Sequence, residues 1–348
     1  MDNLSKKSEF YRHLLFYKIY NSTTISPLIL LVTLSITFAE LFTGSTLFFE
    51  LFNPVSMLFL IGLYGGGVVA IREFTVRYGG NWTTLLLLGS AYGIIEEGFA
   101  TKTFFDPSKA GFLGVFGRAF GVNWVWVVLI IAFHAVYSIT LPILLIRVIF
   151  PYTKGKPILP WWGMYASLTT FLITALLLFF VEDPAYNPSP LLLITFAGIS
   201  IIIVCIAHFL PSIWFNKWAY RKTINTKKIT IASGLFIWLS IAISGIIHLF
   251  IPIPVIIVLL NFIAGIVTFR LVLNAGVVSN DPRTIVALAT GLLSFWLVYS
   301  AILEIFYDWG VGIATTAVII MLYALNKKTN KFYKFLNKKD STCRKKTE

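Results

Sequence analysis

Apolar runs of about 20 residues, the length of helix that crosses a bilayer, recur along the chain from Pro27 to Leu325. Short polar or proline-bearing breaks separate them. The runs predict ten spans, near 28–48, 54–71, 82–100, 122–149, 161–181, 190–213, 229–250, 255–273, 284–305 and 310–325. Pro252 and Pro254 divide the seventh from the eighth, because proline removes a backbone donor and disfavours helix just before it. The runs are continuous rather than alternating, which argues against a β-barrel. The expected fold is therefore an all-α polytopic transmembrane bundle, a multi-pass protein of the cell membrane. Residues 27–325 form the membrane domain. A basic segment, 1–26, precedes it, with Phe10, Leu14 and Tyr17 at helical spacing; it suits either a helix lying on the membrane surface or a loosely ordered tail. A basic tail, 326–348, follows.

Composition agrees: 57% of the 348 residues are hydrophobic and 12% charged, against about 25% charged in soluble domains. The net charge of +13 has a topological explanation that makes nucleic acid an unneeded partner. With both termini in the cytoplasm, all but three of the 28 Lys and Arg residues fall in cytoplasmic segments. The exceptions, Lys102, Lys109 and Arg118, share one outer loop, 101–121. That loop also carries Phe104, Phe105, Phe112, Phe116 and Phe120 among four glycines, which suggests a segment lying at the membrane interface. Membrane lipids are the expected partners, with a membrane-embedded peptide or small molecule as a candidate substrate. Cys205 and Cys343 cannot support a disulfide framework.

Two adjacent acids, Glu96 and Glu97, close the third span. Acids within a membrane helix cost about 2.5–3.5 kcal/mol at mid-bilayer and mark functional sites. On an α-helix Glu97 shares its face with Gly93 and Ser90, and Glu96 shares its face with Gly89, Tyr92 and Gly93. Both acids thus border a small-residue stripe suited to close helix packing, as do Gly62 and Gly66 on the second span. The pair sits about 100° apart around the axis. His134, about 16 Å into the fourth span at 1.5 Å per residue, shares a face with Asn123, Tyr137 and Ser138. A hydrated hollow joining His134 to the two acids is expected, with Glu96, Glu97 and His134 as catalytic candidates. Lys102, Arg118, Asn123, Tyr137 and Ser138 are candidate binding residues. Glu40, His248 and Glu304 extend the polar character of the outer half, whereas His208 reads as separate and structural. Four histidines on four segments, and no His-Glu-x-x-His, Cys/His cluster or phosphate loop, predict neither metal nor cofactor.

Glu96 and Glu97 followed by the His134 helix resemble the CAAX-protease and bacteriocin-processing superfamily of intramembrane proteases, with its PrsW-like relatives, in which a Glu-Glu pair precedes a helix carrying Phe-x-x-x-His or His-x-x-x-Asn; Ile130 stands here where that motif has phenylalanine. The resemblance implies a glutamate that activates water and a histidine that orients or stabilises the oxyanion. Here four residues rather than three separate the pair from the basic Lys102, and Ser138 stands where that family has asparagine. The motifs Tyr-Gly-x-x-Glu-Glu-Gly and Phe-His-Ala-Val also resemble a broader group of uncharacterised membrane proteins. Three classes of function follow: a glutamate-dependent hydrolase, a proton-coupled transporter or channel, and a scaffold or sensor in which Lys102 or Arg118 neutralises the acids.

Overall fold

The computed structural model describes residues 26–109, 113–209, 224–275 and 281–344. All ten expected segments are helical there: α1 (Pro27–Leu41), α2 (Pro54–Arg77), α3 (82–100), α4 (Trp124–Ile149), α5 (Trp161–Val181), α6 (Pro190–Phe209), α7 (Thr226–Phe250), α8 (Pro254–Asn274), α9 (Pro282–Phe306) and α10 (Val311–Arg344). Eight are long and apolar enough to cross a membrane; α1 is shorter and α3 carries the glutamate pair. The protein is an all-α polytopic membrane bundle whose apolar outer surfaces imply contact with lipid. Its N-terminal residues 1–25, proposed above as a surface helix or tail, lie outside the described residues. At the other end, α10 does not stop with its apolar run but continues through the basic residues to Arg344.

Helix α3 is the centre of the first half. No residue from 81 to 100 is exposed, and α2, α4, α5 and α6 pack around it. Its start is fixed by Asn81, whose side chain accepts from Thr83 and Thr84 backbone N–H groups at 2.8 and 3.3 Å. Helix α1 packs on α2 and α4, while α7 packs on α8 and α9, and α9 on α10. The Tyr137 hydroxyl ties the halves together by donating to the Leu292 carbonyl of α9 at 2.9 Å. The close packing expected at the small-residue stripes is present. A Cβ on Gly66 would meet the Phe171 nitrogen and Ser167 oxygen of α5 at 2.9 Å, and one on Gly89 would meet Ala135 Cα of α4 at 2.8 Å.

The inner end of α2 is stitched by a buried ion pair. Arg72 binds Glu73 and also donates to the Thr153 and Lys156 carbonyls at 2.7 and 2.8 Å. Glu73 accepts from the Ile158 and Leu159 backbone N–H groups at 3.0 and 3.4 Å, with Arg77 at 3.5 Å.

The first part of the loop between α3 and α4 is packed, whereas Gly114, Val115 and residues 119–121 are exposed. Phe104 and Phe105 are fully buried, whereas Phe120 is exposed; Phe112 lies outside the described residues. Strands β1 (Arg118–Ala119) and β2 (Val122–Asn123) pair antiparallel. Phe120 and Gly121 join them with φ of 54° and 77°, which suits the twist of a two-residue hairpin.

Candidate functional site

Four helices in the first half contain π-helical segments: Thr37–Leu41 of α1, Ile61–Gly65 of α2, Ile95–Ala100 of α3 and His134–Thr140 of α4. Each delivers polar side chains to one place. These are Glu40, Tyr64, Glu96 with Glu97, and His134 with Ser138. Single-turn π-bulges are uncommon and gather at functional sites. A wider turn also brings successive side chains closer in azimuth, so the two adjacent glutamates reach one partner that a regular α-helix would not offer equally. Ser35 of α1 supports the distortion in α4 by donating to the Ser138 carbonyl at 2.6 Å.

The partner is His134. Its Nε2 lies 2.8 Å from Glu97 Oε1, and its Nδ1 lies 2.9 Å from Ser138 Oγ and 3.0 Å from Glu96 Oε2. The contact with Glu96 Oε2 is an ion-pair distance without hydrogen-bond alignment. The ring is 6.0 Å from Tyr92 and 6.5 Å from Tyr64, centroid to centroid. A Cβ on Gly93 would press on His134 Cβ at 3.0 Å, so glycine lets α3 approach the imidazole.

Hydrogen bonds extend the centre in both directions. The Tyr64 hydroxyl contacts one oxygen each of Glu40 and Glu96, and Thr46 donates to the other Glu40 oxygen at 2.6 Å. A tyrosine hydroxyl has one proton to give. Its contacts with two carboxyls make Glu40 and Glu96 neighbours of one shared donor. On the far side Thr103 donates to Glu97 Oε2, Thr101 lies 3.4 Å from the same oxygen, and Trp126 Nε1 donates to Thr103 at 3.0 Å. Glu96, Glu97, His134, Ser138, Tyr64 and Tyr92 are all buried.

The structure brings Glu96, Glu97, His134 and Ser138 together. The other candidates have different placements. Lys102 donates to the Asp183 and Tyr186 carbonyls at 2.5 and 2.9 Å and lies 4.6 Å above the Phe179 ring. It holds a left-handed φ of 60° and is fully buried, so it fastens this loop to the one between α5 and α6. Arg118 donates to the Phe105 carbonyl at 2.6 Å. Asn123 caps α4 by accepting from Trp126 N at 3.1 Å and donates to the Gly114 carbonyl at 3.0 Å. Tyr137 turns to α9. Beyond the centre, His248 packs against Phe116, Glu304 accepts from the Gly310 and Gly312 backbone N–H groups at 2.8 and 2.6 Å, and His208 lies among Phe74, Tyr78 and Phe209. Thus neither Lys102 nor Arg118 pairs with Glu96 or Glu97, whereas the scaffold reading requires such a pair.

Tyr64 and Tyr92 are the participants that the sequence did not single out. Tyr92 was placed on the Glu96 face, but neither tyrosine carried a spacing signal of its own. Beside the centre, Ile95 and Phe99 form the floor of an apolar groove of about 410 Å³ walled by α5 and α6, with Leu176, Phe179, Leu193 and Ala197 among its lining.

The family model of an uncharacterized membrane protein family matches residues 29–329, and so spans the whole site. The chain belongs to that family. No curated protein and no solved structure matches it. The family model gives the resemblance to the CAAX-protease and bacteriocin-processing superfamily no support; what it establishes is a membrane protein family.

Proposed function

We propose that the Glu96–His134–Glu97 centre activates water in an intramembrane hydrolase whose substrate is embedded in the membrane. One observation carries this reading. Two adjacent acids and an imidazole, from different helices, meet inside the bundle, and among the described residues no Lys or Arg side chain is one of their hydrogen-bond or ion-pair partners. In the proposed step, a water enters between Glu97 and His134. Glu97 takes its proton, and the oxygen bonds to the substrate carbonyl carbon. His134, oriented by Ser138, donates a hydrogen bond to the developing oxyanion. The proton held by Glu97 then passes to the leaving group as its bond to the carbonyl carbon breaks. The apolar groove bounded by Ile95 and Phe99 supports a lateral approach from lipid, because those residues lie on the same π segment as the acids.

The test needs no known substrate. Membranes bearing the chain are incubated in heavy-oxygen water, and lipid and peptide carboxylates are read by mass spectrometry. Label incorporation that falls about 10²–10⁴-fold in Glu97→Gln, at equal folded protein, is the expected result for loss of a general base. Equal incorporation in both proteins refutes the reading.

The run Thr46–Glu40–Tyr64–Glu96–His134–Glu97–Thr103, hydrogen-bonded at every step but the ion-pair contact between Glu96 and His134, favours a second reading, proton-coupled transport. It expects proton flux in proteoliposomes that Glu40→Gln abolishes. The hydrolase reading places no such flux.

A further inference from the structure

We propose that Glu96, Glu97 and His134 form a binding site for one divalent first-row transition-metal cation. One ligand atom from each residue lies within 4.8 Å of the others, and all three residues are buried. Two carboxylates and one imidazole suit Mn²⁺, Fe²⁺ or Zn²⁺ better than the all-oxygen shell preferred by Ca²⁺ or Mg²⁺. The sequence holds no histidine or cysteine motif with metal-ligand spacing. Adjacent glutamates on a π segment escape such motifs.

Two further observations point to a missing positive charge. First, Glu96 Oε2 is buried without a hydrogen-bond partner. It faces His134 Nδ1 at 3.0 Å without hydrogen-bond alignment. Second, the acid count exceeds the available cations. Glu40 joins the centre through Tyr64, so three carboxyl groups share one imidazole. Isolated buried carboxylates are costly unless protonated, paired or bound to metal. A divalent cation between Glu96, Glu97 and His134 supplies the balance and gives Glu96 Oε2 a partner. Ser138, bonded to His134 Nδ1, is a positioning residue that holds the ring in the orientation a metal needs.

The two proposals use Glu97 and His134 differently, as ligands here and as base and hydrogen-bond donor above, and the measurements below separate them. The full chain is purified in detergent, stripped with chelator, and incubated with Zn²⁺ or Mn²⁺. After desalting, metal is measured by mass spectrometry and unfolding is followed by heat. The expected result is about one equivalent per chain and a raised Tm, since ligands that bind only the folded state stabilise it. Glu97→Gln and His134→Gln lose the metal and the Tm rise. Glu182→Gln, in the surface pair with Lys109, keeps both. Ser138→Ala keeps the ligands and binds about tenfold more weakly or worse. Should the triad variants fail to fold, the wild-type chelator and add-back cycle still decides. No metal retention by folded wild-type protein, or retention unchanged in Glu97→Gln, overturns the proposal. Heavy-oxygen incorporation without metal would refute this site and leave the hydrolase standing.

Discussion

Gly89→Ala tests whether the approach of α3 to α4 sets the geometry of the centre. The added methyl would stand 2.8 Å from Ala135 Cα and 3.1 Å from its carbonyl oxygen. Both obstacles are backbone, so no side chain can rotate away. Overpacking of this kind costs about 1–3 kcal/mol. Alanine also improves helix propensity by about 1 kcal/mol in a helix interior, and that gain must be removed from the comparison. Gly198→Ala on α6 provides the control, because a Cβ there meets nothing within 4 Å. Both variants gain the propensity, and only one meets backbone. Thermal unfolding in detergent should therefore place Gly198→Ala at or above the parent protein and Gly89→Ala below it. The separation expected is about 1–3 kcal/mol. Because Ala135 adjoins His134, the shift should also lengthen the Glu97–His134 contact and weaken metal retention. Equal Tm values for the two alanine variants would refute the close approach of α3 to α4.

The inner end of α2 offers a second test. Glu73 is fully buried with Arg72, Arg77 and two backbone N–H groups around it. Glu73→Ala should cost about 3–5 kcal/mol by leaving buried guanidinium charge unpaired, measured as lost folded yield and lower Tm, whereas a shift below 1 kcal/mol, about the worth of an exposed pair, would contradict this account. Topology is tested by single cysteines in a background without Cys205 and Cys343. The positive-inside partition predicts that Lys109→Cys reacts with an impermeant thiol reagent from outside the cell and Lys156→Cys only after lysis. Labelling of both from the same side would overturn the orientation.

The ten helices were legible because lipid imposes a length and a composition on each crossing segment, and both survive in a single sequence. The site was legible in part, and the reason for the shortfall is physical. Glu96, Glu97 and His134 stand out as ionisable groups in apolar runs. Their meeting follows from the cost of leaving each in lipid, but the reach of both acids to one imidazole does not, since α-helical spacing puts them about 100° apart. π segments change that spacing, and nothing in Ile95–Ala100 or His134–Thr140 announces them. Tyr64 escaped notice because tyrosine is common in membrane helices near interfaces. Lys102 and Arg118 drew notice by violating the charge partition, yet each charge is taken up by backbone carbonyls that fasten a loop.

Two treatments of buried acid coexist in this chain, and their difference bears on function. At the inner end of α2, Glu73 is matched by two arginines and two backbone donors, so its charge is met by fixed protein groups and the arrangement serves structure. At the centre, Glu40, Glu96 and Glu97 receive only hydroxyl donors, an indole-supported threonine and one imidazole. Arginine was available to the fold, as Arg72 shows, and among the described residues none pairs with the trio. Stability alone does not account for three acids held this way, because apolar residues of similar volume would satisfy lipid and neighbours at lower cost. An acid cluster left short of positive charge is instead suited to take up something that brings charge with it, a proton or a metal ion. Both proposals rest on that shortfall. They would lose their footing if Glu96→Gln and Glu97→Gln together raised Tm and left metal retention, heavy-oxygen incorporation and proton flux unchanged.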